Sequence, residues 1–381
     1  MGIIDKNLEG CHVGLLELFY DFIFVSAILE VAAVVSQGYL SNPNIYIYHF
    51  LVCLSIFQVW LYMTIYINRY GKSRWYEMLF MGIHGVAALY MSNTASADWS
   101  RSLPSHSTMM TLMLGSIVAL YFIKSIESGI DKEEKTLAQH IALSIVWAFM
   151  LQLFVTLSFG RIPFAWSLIL AYVAVLGGVI FPAFSKTSNT WGTVINFSHL
   201  VERFELITLI AFGEATVFIG EFFVLGEFIL GPPLIFILFV SMFVWYVIQI
   251  HVLCEHHRHA RALVLMYTHF AAIIALSLLI GTLSLVYEDR CTSIQFFDVV
   301  CGTQVIFYGA MLLNCRYYRE GVKLSCGDCT GMAVSFFLGI YIYLLTGRTH
   351  LSVLMGAIIT ALGCLAVFIH KLQSNHVILE D

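Results

Sequence analysis

The sequence predicts an all-α polytopic membrane protein with about twelve transmembrane helices, arranged as two parallel six-helix repeats. Three observations support this prediction. The 381 residues are 60% hydrophobic and only 11% charged, whereas a soluble domain carries about 25% charged residues, and the mean hydropathy is +0.85. Apolar stretches long enough to cross a bilayer recur along the chain. Landmark residues of the first half recur in the second at a nearly constant distance.

The apolar stretches define the predicted helices. A transmembrane helix needs about 20 predominantly apolar residues. The first half contains such stretches at 13–36, 44–68, 76–96, 107–127, 137–159 and 163–185. The second half contains them at 197–222, 232–254, 262–287, 295–315, 329–346 and 349–371. Each half therefore supplies six predicted helices.

The landmarks indicate a tandem duplication. Glu17 and Glu202 are 185 residues apart, and the same offset separates Trp60 from Trp245 and His84 from His269. The predicted repeats are 1–187 and 188–381, joined by the polar stretch Ser185–Asn189. Because six is an even number, both repeats enter the membrane in the same direction, which predicts a pseudo-two-fold axis along the membrane normal.

The basic residues predict the topology. Of the 19 Lys and Arg residues, 14 lie in predicted loops on the side of the N-terminus, four lie on the other side, and Arg203 lies within a span. Positive residues accumulate on the cytoplasmic side, so both termini are expected in the cytoplasm and the plasma membrane is the expected location. The basic residues form no patch, so nucleic acid is not an expected partner.

The first predicted helix carries three acids. An ionisable side chain at the centre of a bilayer costs roughly 2.5–3.5 kcal/mol on insertion scales, so such residues face the helix bundle or a water-filled cavity. Glu17 and Asp21 are four residues apart and share a helix face near the cytoplasmic end. Glu30 lies nearer the opposite surface. Two structural alternatives stay open: Glu17 at the interface, stabilised by the helix N-terminus, and a purely structural Asp21.

The seventh predicted helix carries the matching charges. Glu202 and Glu205 lie in its first turns, and Arg203 is expected to pair with Asp21 or Glu17 of the other half. The alternative is a salt bridge that only pins the halves together. Glu214 has no neighbouring charge in the sequence and is the leading candidate for an ion-binding carboxylate.

Two histidines occupy matched positions in the third and ninth predicted helices. His84 and His269 can be core residues, or they can relay protons, because imidazole titrates near neutral pH. The leading helices contain six acids and one arginine. This excess of negative charge favours a cation or protons over an anion as the transported species.

No cofactor or metal site is predicted. The CxxC spacing of Cys326 and Cys329 would need two further ligands to hold zinc, and a solvated loop is the simpler interpretation. The same holds for the stretch 254–259, which reads CEHHRH. A disulfide between Cys291 and Cys301 stays open.

Two segments resemble a known family. Residues 16–25 read LELFYDFIFV and are similar to the ELFFDLVFV signature of the bacterial low temperature requirement A (LtrA) family. Residues 199–214 read HLVERFELITLIAFGE and resemble its second signature, H-x-x-ERFGLFTIIVLGE, with Glu205 in the place of a glycine. Met266-Tyr267-Thr268-His269 resembles a later Tyr-x-His stretch. The resemblance implies a polytopic membrane protein and no particular activity.

The functional expectation is a transporter or channel-like protein for a cation or protons, with the lipid bilayer as its environment and an oligomer left open. The alternative is a non-transporting membrane protein, either a lipid-acting intramembrane enzyme or a sensor or assembly factor. Enzyme activity is the less favoured of these. In the transport hypothesis the central carboxylates are Asp21 and Glu214, the vestibule is Glu17, Glu202 and Glu205, the clamp is Arg203, and the relays are His84 and His269.

Overall fold

The chain folds into α-helices joined by short connections. A computed structural model describes residues 13–37, 43–72, 74–184, 196–223, 230–257 and 260–374. Within these ranges there is no β-strand, and the backbone pairing of Cys254 with Tyr318 is an isolated bridge. The predicted all-α class is confirmed.

The helices follow the predicted stretches closely. Those of the first half are α1 Leu15–Glu30, α2 Ala32–Ser36, α3 Pro43–Tyr70, α4 Trp75–Asn93, α5 Trp99–Ile126, α6 Lys132–Ser158 and α7 Phe164–Phe184. Those of the second half are α8 Phe197–Gly220, α9 Gly231–Val247, α10 Leu263–Tyr287, α11 Ser293–Leu312, α12 Cys326–Leu345 and α13 His350–Ser374. A π-helical segment, Ile248–Val252, continues α9, and a 3₁₀ segment, Leu313–Tyr317, continues α11.

Several helices start earlier than hydrophobicity alone predicts. Helix α5 begins at Trp99 instead of 107, because the Asp98 side chain accepts a hydrogen bond from the Ser100 amide at 3.1 Å and caps the first turn. Helix α12 begins at Cys326 instead of 329. There the Ser325 side chain and the Asp328 side chain form a reciprocal capping box. The prediction of a solvated loop at the CxxC was therefore wrong.

Nine helical segments in the described ranges are long and apolar enough to cross a membrane, and Phe164–Ile180 is a shorter apolar helix. The multi-pass character is thereby confirmed. Helices α4 and α8 fall short of that apolar content. Glu77 and His84 lower the hydropathy of α4, and α8 carries three glutamates and one arginine.

The chain divides into two compact units. The first contains α1 to α7, α8 as far as Ile207 and the first turn of α10 as far as Met266. The second contains α8 from Thr208, α9, α10 from Tyr267, and α11 to α13. The predicted join at Ser185–Asn189 lies outside the described residues.

In the first unit, charged side chains gather where α3 and α5 end. Arg69 donates two hydrogen bonds to Glu134, at 2.7 and 3.0 Å. Glu127 accepts from Arg74 and from Lys124. These hydrogen bonds lower the pKa of Glu127 to about 2, and the bond from Arg74 has the largest effect. The connections after α3 and after α5 therefore meet at one end of this unit. The distribution of basic residues predicts that these two connections lie on the same side of the membrane.

In the second unit, α12 and α13 pack at unusually short range. A Cβ atom on Gly339 would lie 2.5 Å from the Gly356 carbonyl oxygen and 2.4 Å from the Thr360 hydroxyl. Helix α13 also packs against α9 and α11. At the far end of α13, Lys371 donates to Asp328 at 2.5 Å and to the Lys323 carbonyl at 2.6 Å. Small residues thus allow α12 and α13 to pack closely, and the buried Lys371 fixes the register between these two helices.

One turn type occurs in both units. Gly160 follows α6 with φ of 78°, and Gly347 follows α12 with φ of 88°. This left-handed conformation suits glycine at the end of a helix. Each glycine precedes an arginine, so a Gly-Arg pair lies in each of the connections α6–α7 and α12–α13.

Candidate functional site

A buried ion pair in the first unit joins α1 to α8. Arg203 donates from Nε to Oδ2 of Asp21 and from Nη2 to Oδ1, both at 2.7 Å. Both side chains are 0% exposed. Two parallel charge-assisted hydrogen bonds are the strongest arrangement that an arginine and a carboxylate can adopt. This contact confirms the predicted pairing of Arg203.

Helix geometry explains why these residues meet. Asp21 is six residues from the start of α1, and Arg203 is six residues from the start of α8. At 1.5 Å per residue, each therefore lies about 9 Å along its own helix. Glu17 is one turn earlier on the same face of α1 as Asp21. Its Oε2 lies 3.4 Å from Nη1 of Arg203, and its side chain is 20% exposed.

Trp60 of α3 completes the surroundings of the ion pair. Its Nε1 donates to Oδ1 of Asp21 at 2.8 Å, and its ring lies 5.6 Å from the guanidinium carbon of Arg203. A cation over an indole ring is stabilised by the ring quadrupole. Phe204 packs edge-on against the same indole at 5.3 Å. The tryptophan thus touches both charges at once.

A histidine borders the outer carboxylate. Nε2 of His199 lies 3.5 Å from Oε2 of Glu17. Nδ1 of His199 lies 3.2 Å from the side-chain nitrogen of Asn68. Because an amide nitrogen can only donate, Nδ1 accepts, and the ring hydrogen on Nε2 points toward the glutamate. Asn68 also bonds both the N–H and the C=O of Asn196, which fixes the start of α8.

His84 lies in a separate buried chain of hydrogen bonds within the same unit. The Tyr20 hydroxyl is 3.2 Å from its Nδ1, and the Ser116 hydroxyl is 2.6 Å from its Nε2. Ser116 donates its own hydrogen to the Met113 carbonyl at 2.7 Å. The serine oxygen therefore accepts from Nε2, and Nδ1 accepts from the tyrosine, which describes a neutral imidazole. Tyr20 adjoins Asp21 in the sequence.

In the second unit, the residues at the matched positions have different surroundings. His269 is 0% exposed, and its Nε2 lies 3.1 Å from the Tyr246 hydroxyl. Trp245, the counterpart of Trp60, packs edge-on against Tyr308 at 4.8 Å. Its Nε1 is buried with no hydrogen-bond partner in the part of the chain that the structure describes. The landmarks shared by the two halves thus belong to different local environments.

The remaining predicted acids occupy other positions on α1 and α8. Glu30 is exposed at the last position of α1. Glu202 and Glu205 are half-buried in the first turns of α8. Glu214 is half-buried and lies six residues before the end of α8, in the part of that helix that belongs to the second unit.

The charges of the site do not balance. Within hydrogen-bond range, two carboxylates face one guanidinium, and the histidine beside Glu17 is the next basic group. Removing a charge from water costs several kcal/mol unless partners replace the hydration. Asp21 accepts three hydrogen bonds, two from Arg203 and one from Trp60, while Glu17 has one long contact with Arg203 and keeps access to solvent. Adding one positive charge at Glu17 would neutralise the cluster.

Sequence reasoning identified the acids and the arginine but missed three neighbours. Trp60 was noted only as a landmark of the repeat, and Asn68 is the last residue of the predicted stretch 44–68. His199 opens the second signature segment, and that position was the available signal for its role. The free thiols of Cys291 and Cys301 show that the disulfide left open above does not form.

The helices and the buried cluster define an integral, multi-pass membrane protein with an ion pair inside its first helical unit. The sequence profile described as "Bacterial low temperature requirement A protein (LtrA)" matches residues 12–369. The chain therefore belongs to the LtrA family, as its two signature segments indicate. No curated protein and no solved structure matches the chain.

Proposed function

We propose that this protein moves protons or a cation across the bilayer, and that the Asp21–Arg203–Glu17 cluster is its charge-sensitive site. The observation that carries the proposal is the fully buried Asp21–Arg203 pair with a second, partly exposed carboxylate beside it. A purely structural pair needs one acid for one base. The extra acid gives the cluster room for one more positive charge.

The proposed transport cycle uses the contacts of Arg203 with both carboxylates. Glu17 keeps contact with solvent and receives the arriving proton or cation. Arg203 uses two nitrogens on Asp21 and the third on Glu17, so a charge taken up by one carboxylate shifts the guanidinium toward the other. Because Asp21 is on α1 and Arg203 on α8, each shift changes the contact between these two helices.

The chain of Tyr20, His84 and Ser116 supports protons over metal cations. Proton relays need groups that both donate and accept, and hydroxyls and neutral imidazole do so. Tyr20 immediately precedes Asp21 in α1, and its hydroxyl lies 3.2 Å from Nδ1 of His84. In this role His84 carries protons between the cluster and the interior of α4 and α5, and His269 with Tyr246 does the same in the second unit.

The membrane arrangement is part of the proposal. We place twelve crossings in two parallel six-helix repeats in the plasma membrane, with both termini in the cytoplasm. The common Gly-Arg turns and the 14-to-4 distribution of basic residues support this arrangement. Glu214 lies about 26 Å along α8 from its first residue, so it serves as a second carboxylate nearer the opposite surface, while Glu202 and Glu205 form the cytoplasmic vestibule.

The test is proton flux in liposomes. Purified protein is reconstituted with a trapped pH-sensitive dye, and flux is driven by an imposed pH gradient or membrane potential. We expect Asp21→Asn to abolish flux and Glu17→Gln to reduce it and change its pH dependence. Glu214→Gln tests the second carboxylate in the same way.

A matched control is available in the second unit. Asp328 also pairs with a buried base, Lys371, at 2.5 Å, and the proposed cycle does not use it. Asp328→Asn is therefore expected to retain flux. Wild-type flux in Asp21→Asn at normal protein level would refute the role of the cluster. Absence of flux in the wild type under every gradient, with a lipid that copurifies stoichiometrically, would instead favour the non-transporting alternative.

A further inference from the structure

The most accessible thiols of the described chain lie together at the start of α12. Cys326 is the first residue of this helix and Cys329 is the fourth. Both are exposed and free, whereas Cys53, Cys254, Cys291 and Cys364 are buried, and Cys301 and Cys315 are half-buried.

Helix geometry brings the two cysteines within bonding reach. Residues three apart in an α-helix have Cα atoms about 5 Å apart, from a rise of about 1.5 Å per residue and a radius of about 2.3 Å. Disulfides join cysteines whose Cα atoms are about 4.4–6.8 Å apart. In the solvated loop expected from the sequence, no such spacing would be imposed. The helical turn therefore holds Cys326 and Cys329 at a separation that suits a disulfide.

The turn that carries the pair is held from several sides. The Ser325 hydroxyl accepts from the Asp328 amide at 3.1 Å, and the Asp328 carboxylate accepts from the Ser325 amide at 2.7 Å. The same carboxylate accepts from Lys371, which is 5% exposed. The two thiols are thus displayed on a fixed turn, and only their side chains must move to meet.

A metal is the weaker interpretation of this pair. Zinc sites in proteins take four ligands, or three and a water. Among the described residues, no group of three or more His, Cys, Asp or Glu side chains is placed to hold a metal ion. Two thiols without a third ligand are instead suited to thiol–disulfide chemistry.

We propose that Cys326 and Cys329 form a reversible redox site, which closes to an intramolecular disulfide by exchange with a small-molecule or protein disulfide. One cysteine, as thiolate, attacks a sulfur of the incoming disulfide, forms a mixed disulfide and releases one thiolate. The second cysteine then attacks the protein sulfur of that bond and releases the other. The two protein thiols lose two electrons and two protons, and the incoming disulfide is reduced to two thiols. Excess thiol reverses the reaction.

The position of the pair suits a reversible site. It lies at the same end of the second unit as Lys323, because Lys371 donates both to the Lys323 carbonyl and to Asp328, which lies between the two cysteines. On the proposed topology this end faces the cytoplasm, where the thiol pool keeps exposed disulfides transient.

The test uses the full-length protein in detergent, equilibrated in glutathione buffers of graded reduced-to-oxidised ratio. Thiols are then trapped by alkylation, and the peptide that contains both cysteines is analysed by mass spectrometry. We expect both thiols of the wild type to disappear together, with the loss of two hydrogens from one peptide. In Cys326→Ser and in Cys329→Ser, the remaining thiol should carry one glutathione instead. Cys315→Ser, outside the pair, should behave as the wild type.

Three outcomes would overturn the proposal: both thiols still alkylated in fully oxidised buffer, glutathione on both cysteines of the wild type without an internal disulfide, or a disulfide between two chains. Stoichiometric zinc binding that protects both thiols would also overturn it. The serine variants replace exposed side chains, so a thermal melt equal to that of the wild type verifies that they are folded.

Discussion

Removing one member of the Asp21–Arg203 pair should destabilise the protein unequally, depending on which member is lost. Asp21→Asn leaves a fully buried guanidinium, but Glu17 remains 3.4 Å from it, and the new amide oxygen can still accept one hydrogen bond. Arg203→Met leaves Asp21 buried with the Trp60 hydrogen bond as its remaining support, and it leaves Glu17 without its guanidinium. Arg203→Met therefore leaves more charge without a partner than Asp21→Asn does.

The expected magnitudes follow from this count. Breaking a buried ion pair from one side costs about 3–5 kcal/mol. We expect about 3 kcal/mol for Asp21→Asn, because Glu17 compensates in part, and about 5 kcal/mol for Arg203→Met. The double change Asp21→Leu with Arg203→Met removes both charges, and replacing a buried ion pair by apolar residues is neutral or stabilises by about 1–4 kcal/mol relative to the intact pair.

Thermal unfolding in detergent, followed by loss of the monodisperse peak in size-exclusion chromatography, measures this order. The melting temperature should fall from wild type through Asp21→Asn to Arg203→Met, with the double variant above Arg203→Met. An equal or higher melting temperature for Arg203→Met than for Asp21→Asn would contradict this order. It would mean that the second acid of the cluster does not affect the stability of the folded protein.

Three other perturbations test separate features. Trp60→Phe removes a hydrogen bond to a charged acceptor, worth about 1.5–3 kcal/mol, so its melting temperature should fall further than that of the control Trp245→Phe, whose Nε1 has no partner among the described residues; equal shifts would contradict this. Glu127→Gln should lower stability by about 1 kcal/mol at neutral pH, the value of a partly exposed ion pair. The lowered pKa of Glu127 means that this difference is complete above about pH 5, fades as the pH falls toward 2, and would be absent at all pH values if the contact with Arg74 were incidental. Gly339→Ala should destabilise by about 1–3 kcal/mol through overpacking, whereas Gly309→Ala, with nothing within 4 Å of its added Cβ, should not, and two equal melting curves would argue against close packing of α12 on α13.

How far the sequence predicts the molecule depends on the kind of feature. Most helices were predictable because they show as long apolar stretches, and the pairing of Arg203 was predictable because lipid leaves a lone cation few alternatives. The starts of α5 and α12 were not predicted by hydrophobicity, because capping by Asp98 and Ser325 extends a helix into polar sequence. The capping box at Ser325 is visible in the sequence as S-x-x-D.

The side chains around the ion pair were harder to predict. Trp60 is one of many aromatic residues in an apolar helix, and nothing local distinguishes the indole that faces a carboxylate from one that packs on other rings. Trp245 occupies the matched position without such a partner. The contact between Glu17 and His199 depends on two helices that are distant in sequence, so only the folded arrangement of α1 and α8 reveals it.

The ion pair has a consequence for how the chain is made. Helix α8 carries Arg203 and three glutamates, and it is not among the nine segments of the described chain that are apolar enough to cross a bilayer unaided. Its counter-charge on α1 is synthesised 182 residues earlier. On the proposed topology, in which α8 crosses the membrane, we expect insertion of α8 to depend on α1 remaining accessible beside the translocon until the second half of the chain emerges.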